Sequence, residues 1–348
     1  MNISTVKGVR MEAIAACVPE NKVDNMKFAK SHFEEDMTAL IASLGIQTRH
    51  VCRNSNTTAL DMCVSAAEEI FTKGKVERDS IGCVIFVTQT PDYIVPNNSS
   101  AAQAKLQLPD DVMAFDINHA CSGYLYGLYV ASLISANSQR RVLLLDGDTN
   151  SRYSSPWDKG TSLLFGDAGT ATVIAPTSDS KEWYFSFNTD GAKVDSVILD
   201  MGYRNPLTEA SLQYKVDEDG NKRRQIDMYM DGASVFAQGF KIIPQMIQSL
   251  MDELETSPEE YDSIIAHQAN ALLLRKITKK AGFASEQNVS IIADYGNSSS
   301  SCIPMILSKY GTQYHHPMLW AIGGGLSIGI ADVDINNVNC LGIIEKDF

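Results

Sequence analysis

Short apolar runs alternate with helix-like stretches from one end of the chain to the other. Runs of about four to eight apolar residues, bounded by polar or turn residues, are typical of buried strands. Such runs are predicted as strands at 81–87, 112–117, 142–146, 171–175, 263–267, 289–293, 318–322 and 328–332. Because buried strands alternate here with helical segments, the pattern indicates an α/β protein.

The second half of the chain repeats the first. Ile265 lies 180 residues beyond Ile85, and Trp320 lies 176 residues beyond Leu144, each at the equivalent place in its strand. A separation that stays nearly constant over several strands indicates two copies of one βα unit. The sequence therefore predicts a duplicated architecture.

The duplication divides the chain into three parts. Residues 1–176 are predicted to form an N-terminal half that carries a cysteine nucleophile, and residues 226–348 a C-terminal half. Residues 177–225 break the repeat and contain the polar, turn-rich run 217–224, which is typical of an exposed loop. We interpret this middle part as an inserted loop region, exposed between the halves.

Three reactive side chains follow strands at corresponding places. Cys121 comes after the strand at 112–117 and before a helix-like stretch at 124–136, so the helix dipole is expected to favour its thiolate. His267 and Asn297 lie at or just beyond strand ends in the second half. Ligands bind beyond the carboxyl ends of strands in α/β sheets, so these residues are expected to converge. Alone, each has a plainer interpretation: an inert buried thiol, a core histidine or a turn asparagine.

Composition excludes several classes of protein. The 348-residue chain has a net charge of −13, which argues against general affinity for nucleic acid or an anionic membrane. No apolar run approaches the ~20 residues of a membrane span, and the first ten residues lack a signal-peptide core. The seven cysteines are odd in number and form no CxxC pair, which favours a reducing cytoplasm over disulfides or a metal site.

Ordered motifs give the chain a family resemblance that runs from about residue 8 to the C-terminus. It resembles the β-ketoacyl-acyl-carrier-protein synthase III group of thiolase-like condensing enzymes. The motifs that carry the resemblance are Asn118-His-Ala-Cys-Ser-Gly, His267-Gln-Ala-Asn, Tyr295-Gly-Asn-Ser and Gly323-Gly-Gly. The resemblance implies the five-layered α-β-α-β-α fold of that superfamily, built from two duplicated halves.

The resemblance also implies a role for each residue. Cys121 would attack an acyl thioester to form an acyl-enzyme, and the backbone N–H groups of Cys121 and Gly324 would form the oxyanion hole. His267 and Asn297 would stabilise the enolate formed when a malonyl thioester, in this family malonyl on acyl carrier protein, loses carbon dioxide. CoA or phosphopantetheine thioesters would be substrates, with no bound cofactor. His119 is interpreted as packing or polar support, because His267 already fills the histidine role.

Several positions depart from the family pattern. Ala39 and Ser43 replace a tryptophan and an arginine that hold CoA in many relatives, and Leu272 replaces a further arginine. The primer is therefore expected to arrive on a carrier protein, or CoA to be held differently. Val95, before Pro96, replaces a residue that closes the partner's acyl tunnel across a homodimer, often phenylalanine. A smaller valine predicts a tunnel that admits primers longer than acetyl.

A basic stretch follows the His-Gln-Ala-Asn motif. Arg275, Lys276, Lys279 and Lys280 stand at helical spacings of four, in two adjacent stripes on an otherwise acidic chain. Such a face could dock an acidic acyl carrier protein near the active site. A merely solvated face remains the alternative interpretation.

Three other functions share some of these features. A papain-type hydrolase has the same Cys-His-Asn order, but Cys121 lacks the local motif of that family and the duplication has no place there. A non-catalytic partner subunit would be expected to lose a catalytic residue, and none is lost. A hydroxymethylglutaryl-CoA synthase-like or simple acyl-transfer reaction stays open, because fold does not dictate chemistry.

Overall fold

Two six-stranded mixed sheets form the framework of the protein. The computed structural model describes residues 2–54, 56–178 and 181–348. With strands numbered in chain order, the first sheet has the spatial order β18 (Asn339–Lys346), β2 (Val9–Pro19), β8 (Ala168–Pro176), β7 (Arg141–Asp148), β5 (Ile81–Val87) and β6 (Met113–Ile117). The second has the order β1 (Ser4–Val6), β9 (Trp183–Thr189), β17 (Ser327–Asp332), β16 (Pro317–Gly323), β14 (Ser263–Ala266) and β15 (Asn288–Val289).

The two sheets repeat one another strand for strand. In each, the parallel strands β6-β5-β7 or β15-β14-β16 are followed by two antiparallel partners, β8-β2 or β17-β9. The outermost strands differ, because the C-terminal β18 pairs parallel with β2 and the N-terminal β1 pairs antiparallel with β9. Each end of the chain therefore completes the sheet that belongs mainly to the opposite half.

Helices cover both sheets and fill the space between them. The helices are α1 (Asn25–His32), α2 (Thr38–Leu44), α3 (Ala59–Lys73), α4 (Asn98–Lys105), α5 (Gly123–Ser138), α6 (Gly232–Leu254), α7 (Ala271–Lys280), α8 (Ile292–Tyr295) and α9 (Cys302–Tyr310). Side chains of α5 and α9 share one buried cluster with strands of both sheets. Helices α3 and α4 pack with the outer face of the first sheet, and α6 and α7 with that of the second. This arrangement gives the five layers implied by the resemblance.

The inserted region begins later than the sequence analysis predicts. β9 lies inside 177–225, where Trp183 and Phe185 are buried in the core, so the prediction of an exposed insertion is wrong for this strand. Residues 185–188, Phe-Ser-Phe-Asn, alternate aromatic with polar side chains, which is the pattern of a strand rather than a loop. Residues 179–180 lie outside the described residues. The three-part division of the chain otherwise stays a prediction.

Short paired strands lie within and beside the rest of the insertion. They are β10 (Val197–Ile198) with β13 (Tyr229–Met230), and β11 (Lys215–Val216) with β12 (Lys222–Arg223). A third small pair, β3 (Lys22–Asp24) with β4 (Thr48–His50), lies near the N-terminus. Several apolar side chains of the insertion are exposed, Tyr203 most of all at 94%. The insertion thus projects from the five-layered core.

One predicted strand is helical over part of its length. β15 ends at Val289, and α8 begins at Ile292, within the run predicted as a strand to 293. The Gln268 side-chain oxygen accepts from the Ser290 hydroxyl and from the Ile291 N–H, which turns the chain out of the sheet. Hydrophobicity cannot separate strand from helix in so short a run, because either form buries it.

Candidate active site

Cys121, His267 and Asn297 line one cavity of about 420 Å³. Cys121 stands between β6 and α5, and Asn297 stands before a 3-10 turn that leads into α9. Because α5 and α9 are the equivalent central helices of the two halves, these residues approach from opposite sides of the repeat. His267 directly follows β14. The structure therefore brings together the three residues that the sequence analysis selected.

The Asn297 side chain has a fixed orientation. Its Oδ1 atom accepts a hydrogen bond from the Ser299 N–H at 2.9 Å and lies 3.0 Å from His267 Nε2. The Cys302 thiol approaches the same oxygen at 3.8 Å. An N–H can only donate, so the backbone group of Ser299 identifies the amide oxygen. The amide nitrogen of Asn297 is consequently the group left to donate towards a ligand.

The same contact determines the tautomer of His267. Because Asn297 Oδ1 can only accept, the proton of the neutral imidazole lies on Nε2. Burial lowers the pKa of His267 to about 4, despite the opposing hydrogen bond with Asn297. The ring is therefore neutral at pH 7. Its one N–H group, at Nε2, donates to the Asn297 side-chain oxygen.

Cys121 is a thiol in the resting protein, contrary to the expectation of a favoured thiolate. Burial raises the pKa of Cys121 to about 12, and the Asp148 and Asp146 carboxyls add to the rise. The Ser299 hydroxyl donates to Cys121 Sγ at 3.5 Å and opposes the rise. The position before α5 is as expected, but removal of the sulfur from water outweighs the favourable local dipoles.

The turn after β16 approaches the nucleophile closely. A Cβ atom on Gly323 would lie 2.7 Å from the Cys121 nitrogen and 2.9 Å from the Ser122 nitrogen, so no side chain fits. Gly324, the next residue, lines the cavity. The Ser122 and Ser327 hydroxyls, 2.7 Å apart, join the two segments. This packing is compatible with an oxyanion hole made by the N–H groups of Cys121 and Gly324, which stays a prediction.

Helix α2, which carries Ala39 and Ser43, lines the cavity. Ser43 lines it, whereas Ala39 is exposed on the same helix and does not. Leu273 lines the cavity, whereas Leu272, the position at which the sequence departs from the family arginine, does not. Lys159, which the sequence analysis missed, lies at the cavity and pairs with Glu35 at 2.9 Å.

A larger cavity of about 890 Å³ adjoins the first. Four residues line both: Gln89, Val197, Met228 and Gly324. The wall of the larger cavity comes from the 91–94 loop and from the start of the insertion, including Ile198, Leu199, Met201 and Leu207. Val95 is 82% exposed and lines neither cavity of its own chain. Its role across a homodimer stays a prediction.

The basic stretch forms part of α7. Arg275, Lys276, Lys279 and Lys280 are exposed, and the first turn of the helix lines the smaller cavity. The Asn270 side chain caps this helix by accepting from the Leu273 N–H at 2.8 Å. The Lys280 ammonium donates to the Phe240 carbonyl oxygen at 2.9 Å, so part of its capacity is used within the protein.

His119 lies outside the reacting set, as the sequence analysis interprets it. Its ring is tilted against Tyr126 with centroids 4.1 Å apart, and its Nδ1 accepts from the Ala120 N–H at 3.0 Å. Ser299 contacts both Cys121 and Asn297 and is not among the residues predicted for the site. The only sequence feature that could have identified it is its position two residues beyond Asn297.

Among the described residues, no cluster of His, Cys, Asp or Glu could hold a metal, and no helix could cross a membrane.

A duplicated five-layer fold with a cysteine, a histidine and an asparagine in one crevice defines a thiolase-like condensing enzyme. Profiles of the N-terminal and C-terminal parts of 3-oxoacyl-[acyl-carrier-protein] synthase III match residues 115–191 and 251–335. The structure of a 3-oxoacyl-(acyl-carrier protein) synthase from Burkholderia xenovorans LB400 is similar, with 31% identity, 99% of each chain covered and a TM-score of 0.90. The chain therefore belongs to the 3-oxoacyl-[acyl-carrier-protein] synthase III family.

Sequence relatives agree with this assignment. The chain is 28% identical over 337 residues to β-ketoacyl-[acyl-carrier-protein] synthase III of Lactococcus lactis, covering 94% of this chain and 99% of the relative. It is 27% identical over 334 residues to the protein of the same name from Clostridium perfringens, with the same coverage. Family membership confirms the predicted fold, the acyltransferase class and Claisen condensation as the reaction. It sets aside the papain-type hydrolase.

The buried neutral histidine makes folding sensitive to acid. The unfolded chain protonates this imidazole near pH 6.5 and the folded chain only near pH 4, so stability from this position is full above pH 6.5 and is lost as pH falls to 4. The loss should reach about 3 kcal/mol, and His267→Gln should remove that part of the pH dependence. Urea unfolding between pH 7 and 4 measures it, with His315→Gln as the exposed-histidine control. Equal acid sensitivity in wild type and His267→Gln would contradict the expectation.

Proposed function

We propose that the protein condenses an acyl thioester with a malonyl thioester carried by acyl carrier protein, with loss of carbon dioxide. The orientation of the Asn297 amide carries this proposal. With Oδ1 held by Ser299, the Asn297 nitrogen is one donor in the cavity that also contains Cys121, and the His267 Nε2–H, which donates to Asn297 Oδ1 at rest, is proposed to turn to the substrate oxygen when it binds. Two neutral N–H donors suit an enolate oxygen, where negative charge develops during decarboxylation.

The first half-reaction loads the primer. Cys121 Sγ forms a bond to the acyl carbon as its thiol proton is released, and the bond from that carbon to the carrier sulfur breaks. The departing thiolate takes up a proton, so the step is balanced. The N–H groups of Cys121 and Gly324 stabilise the oxyanion of the tetrahedral intermediate.

The second half-reaction forms the carbon–carbon bond. The bond from the malonyl α-carbon to its carboxylate breaks, carbon dioxide leaves, and the electron pair becomes an enolate whose oxygen accepts from His267 and Asn297. The α-carbon then attacks the acyl carbon on Cys121, and the Cys121 thiolate leaves. A proton taken up by this thiolate restores the resting enzyme.

Substitutions at the three residues should separate the half-reactions. Cys121→Ser should abolish acyl loading, because a serine hydroxyl is a far weaker nucleophile without a dedicated base. His267→Ala and Asn297→Ala should retain loading and lose malonyl decarboxylation by about 10²–10³, since each removes one oriented donor. Intact-protein mass spectrometry measures loading, and release of labelled carbon dioxide measures decarboxylation. Condensation by Cys121→Ser would contradict the covalent route, and wild-type product without carbon dioxide release would favour the hydroxymethylglutaryl-CoA synthase-like or acyl-transfer alternative.

The larger cavity is proposed to hold the primer chain. It meets the smaller cavity at Gln89, Val197, Met228 and Gly324, beside the nucleophile, and its further wall is mostly apolar. A volume of about 890 Å³ falls in the range of sites that enclose whole small ligands, far beyond the need of an acetyl group. The primer is therefore proposed to be an apolar acyl chain longer than acetyl, as the valine at position 95 also predicts.

Chain-length preference tests this cavity. Wild type should load octanoyl faster than acetyl thioester, because each methylene buried contributes about 0.8 kcal/mol, close to fourfold. Leu207→Asp should reduce that preference, since a carboxylate on the cavity wall would be desolvated by the chain. Leu212→Asp is a matched control, because Leu207 and Leu212 are 52% and 53% exposed and only Leu207 lines the cavity. Val95→Phe tests the dimer loop in the same assay. If the wild type loads acetyl faster than octanoyl thioester, the larger cavity does not hold the primer chain.

The carrier protein is proposed to dock on α7. The helix starts at the smaller cavity and presents four exposed cations along its length, on a chain whose net charge is −13. Acyl carrier proteins are acidic, so an opposite-charge surface beside the opening would guide the pantetheine arm inwards. The absence of the family's tryptophan and arginines at Ala39, Ser43 and Leu272 favours a carrier-bound primer over CoA.

Reversal of charge on α7 tests docking. Lys276→Glu with Lys279→Glu should raise the KM for malonyl carrier protein at least about tenfold at low salt, and leave small malonyl thioester analogues unaffected. Lys280 is left in place because it contacts Phe240. The control is Lys73→Glu with Lys75→Glu, the same charge change at exposed positions that line neither cavity. An unchanged KM for the carrier substrate would leave the solvated-face interpretation.

Assembly and location complete the proposal. The exposed side chains of Tyr93 and Ile94 line the larger cavity, and the exposed Val95 follows them in the same loop, which supports a homodimer in which the partner covers this loop. The seven cysteines are all free thiols, which supports a reducing, cytoplasmic location.

A further inference from the structure

A buried serine turn lies beneath the nucleophile. Ser299 is fully buried and has a φ of 56°, a left-handed conformation that is unusual for a residue with a side chain. Its N–H donates to Asn297 Oδ1 and its hydroxyl donates to Cys121 Sγ. The Gln89 amide donates to the same hydroxyl at 3.0 Å. One residue therefore contacts both the nucleophile and the amide that orients the enolate donors.

A conformation of this kind persists only where the surroundings hold it. The next two residues, Ser300 and Ser301, stabilise this conformation of Ser299. Asp146 Oδ1, on β7, accepts from the Ser300 hydroxyl at 2.9 Å and from the Ser301 hydroxyl at 2.8 Å. The Ser301 hydroxyl also lies 3.1 Å from the Asp146 backbone oxygen. The turn is thus attached by side chains to the neighbouring strand of the first sheet.

The Asp146 carboxyl is buried, and no cation among the described residues forms an ion pair with it. Burial raises the pKa of Asp146, and the Asp148 carboxyl two residues further along raises it again. Burial likewise raises the pKa of Asp148. The second carboxyl oxygen of each has no hydrogen-bond partner among the described residues. A protonated, neutral Asp146 carboxyl fits these surroundings. Its carbonyl oxygen accepts from two hydroxyls, and it carries no charge that would repel a developing thiolate.

We propose that Asp146 is a positioning residue that, through Ser300 and Ser301, holds Ser299 in contact with both Cys121 and Asn297. It touches neither substrate nor reacting atoms. Its effect on decarboxylation rests on the proposed function, whereas its effect on the reactivity of Cys121 does not. Loss of the two serine contacts would release the turn and move the hydroxyl and the N–H of Ser299 together.

Conservative and disruptive variants separate positioning from charge and from packing. Asp146→Ala removes the acceptor, whereas Asp146→Asn keeps an oxygen for both serines and resembles the neutral acid. The double variant Ser300→Ala with Ser301→Ala removes the same bonds from the other side. Ser308→Ala is the matched control, since this buried serine of α9 donates to the Gly342 carbonyl oxygen, away from both cavities.

Two rates are measured on each variant, with thermal unfolding to verify the fold. The first is alkylation of Cys121 by iodoacetamide, quantified on the Cys121 peptide by mass spectrometry, and the second is decarboxylation of a malonyl thioester. Asp146→Ala and the double serine variant should slow both rates by about tenfold or more, because small displacements of reacting groups are costly. Asp146→Asn should recover both rates to within about threefold of wild type. Ser308→Ala should match wild type.

Each contrary result overturns the inference. Equal slowing by Asp146→Asn and Asp146→Ala would show that the carboxyl acts by charge rather than by holding the serines. Wild-type rates in the double serine variant would show that the turn needs no such support, and this variant decides the matter where Asp146→Ala does not fold. Slowing by Ser308→Ala would reduce the effect to general packing. A wild type that alkylates normally but decarboxylates nothing would reject the proposed function, while the alkylation comparison still tests Asp146.

Discussion

The orientation of the Asn297 amide is the constraint on which the chemistry of this site depends. A carboxamide presents one acceptor and one donor, and here the acceptor is held by a backbone N–H that cannot exchange roles. That single contact sets the tautomer of His267, since the imidazole nitrogen facing an acceptor must carry the proton. With the amide reversed, two donors would face each other in a buried space, which costs about 1–3 kcal/mol for each unmatched group. The cavity would also lose the inward N–H of the Asn297 amide.

The duplication explains why these groups meet. Each half sends a central helix between the sheets, and the segment before each helix lies at the shared crevice. The first half has Cys121 at this position and the second has Asn297, so in the proposed mechanism one repeat provides the nucleophile and the other the enolate donors. The close approach of Gly323 to the Cys121 nitrogen shows how tightly the halves join there. Under the proposed function, equivalent places in the two copies thus serve different chemical steps.

Periodicity and strand ends were sufficient to predict the framework and the convergence of three residues. The apolar runs mark strands because buried strands need them, and residues after parallel strands share an edge. Trp183–Thr189 has a strand-like alternation at 185–188, but this segment follows the break in the repeat and is therefore assigned to the inserted region. The sequence could not show the raised pKa of Cys121, since a helix terminus is visible in sequence and desolvation is not. Asp146 and Ser299 are far apart in the chain, and only tertiary structure connects them.

The resting state of the site contains little charge, and this suits the sequence of steps. Cys121 is a thiol and His267 is neutral, while the raised pKa of Asp146 reduces its negative charge beneath the sulfur. In the proposed mechanism each half-reaction then creates one negative charge near the centre, first on the acyl oxygen and later on the enolate oxygen. Neutral donors stabilise these charges in turn without holding a permanent counter-charge that would bind one intermediate too strongly. In the proposed mechanism a cationic histidine would instead bind the malonyl carboxylate in the ground state and oppose its loss as carbon dioxide, so the burial that lowers the pKa of His267 would favour decarboxylation.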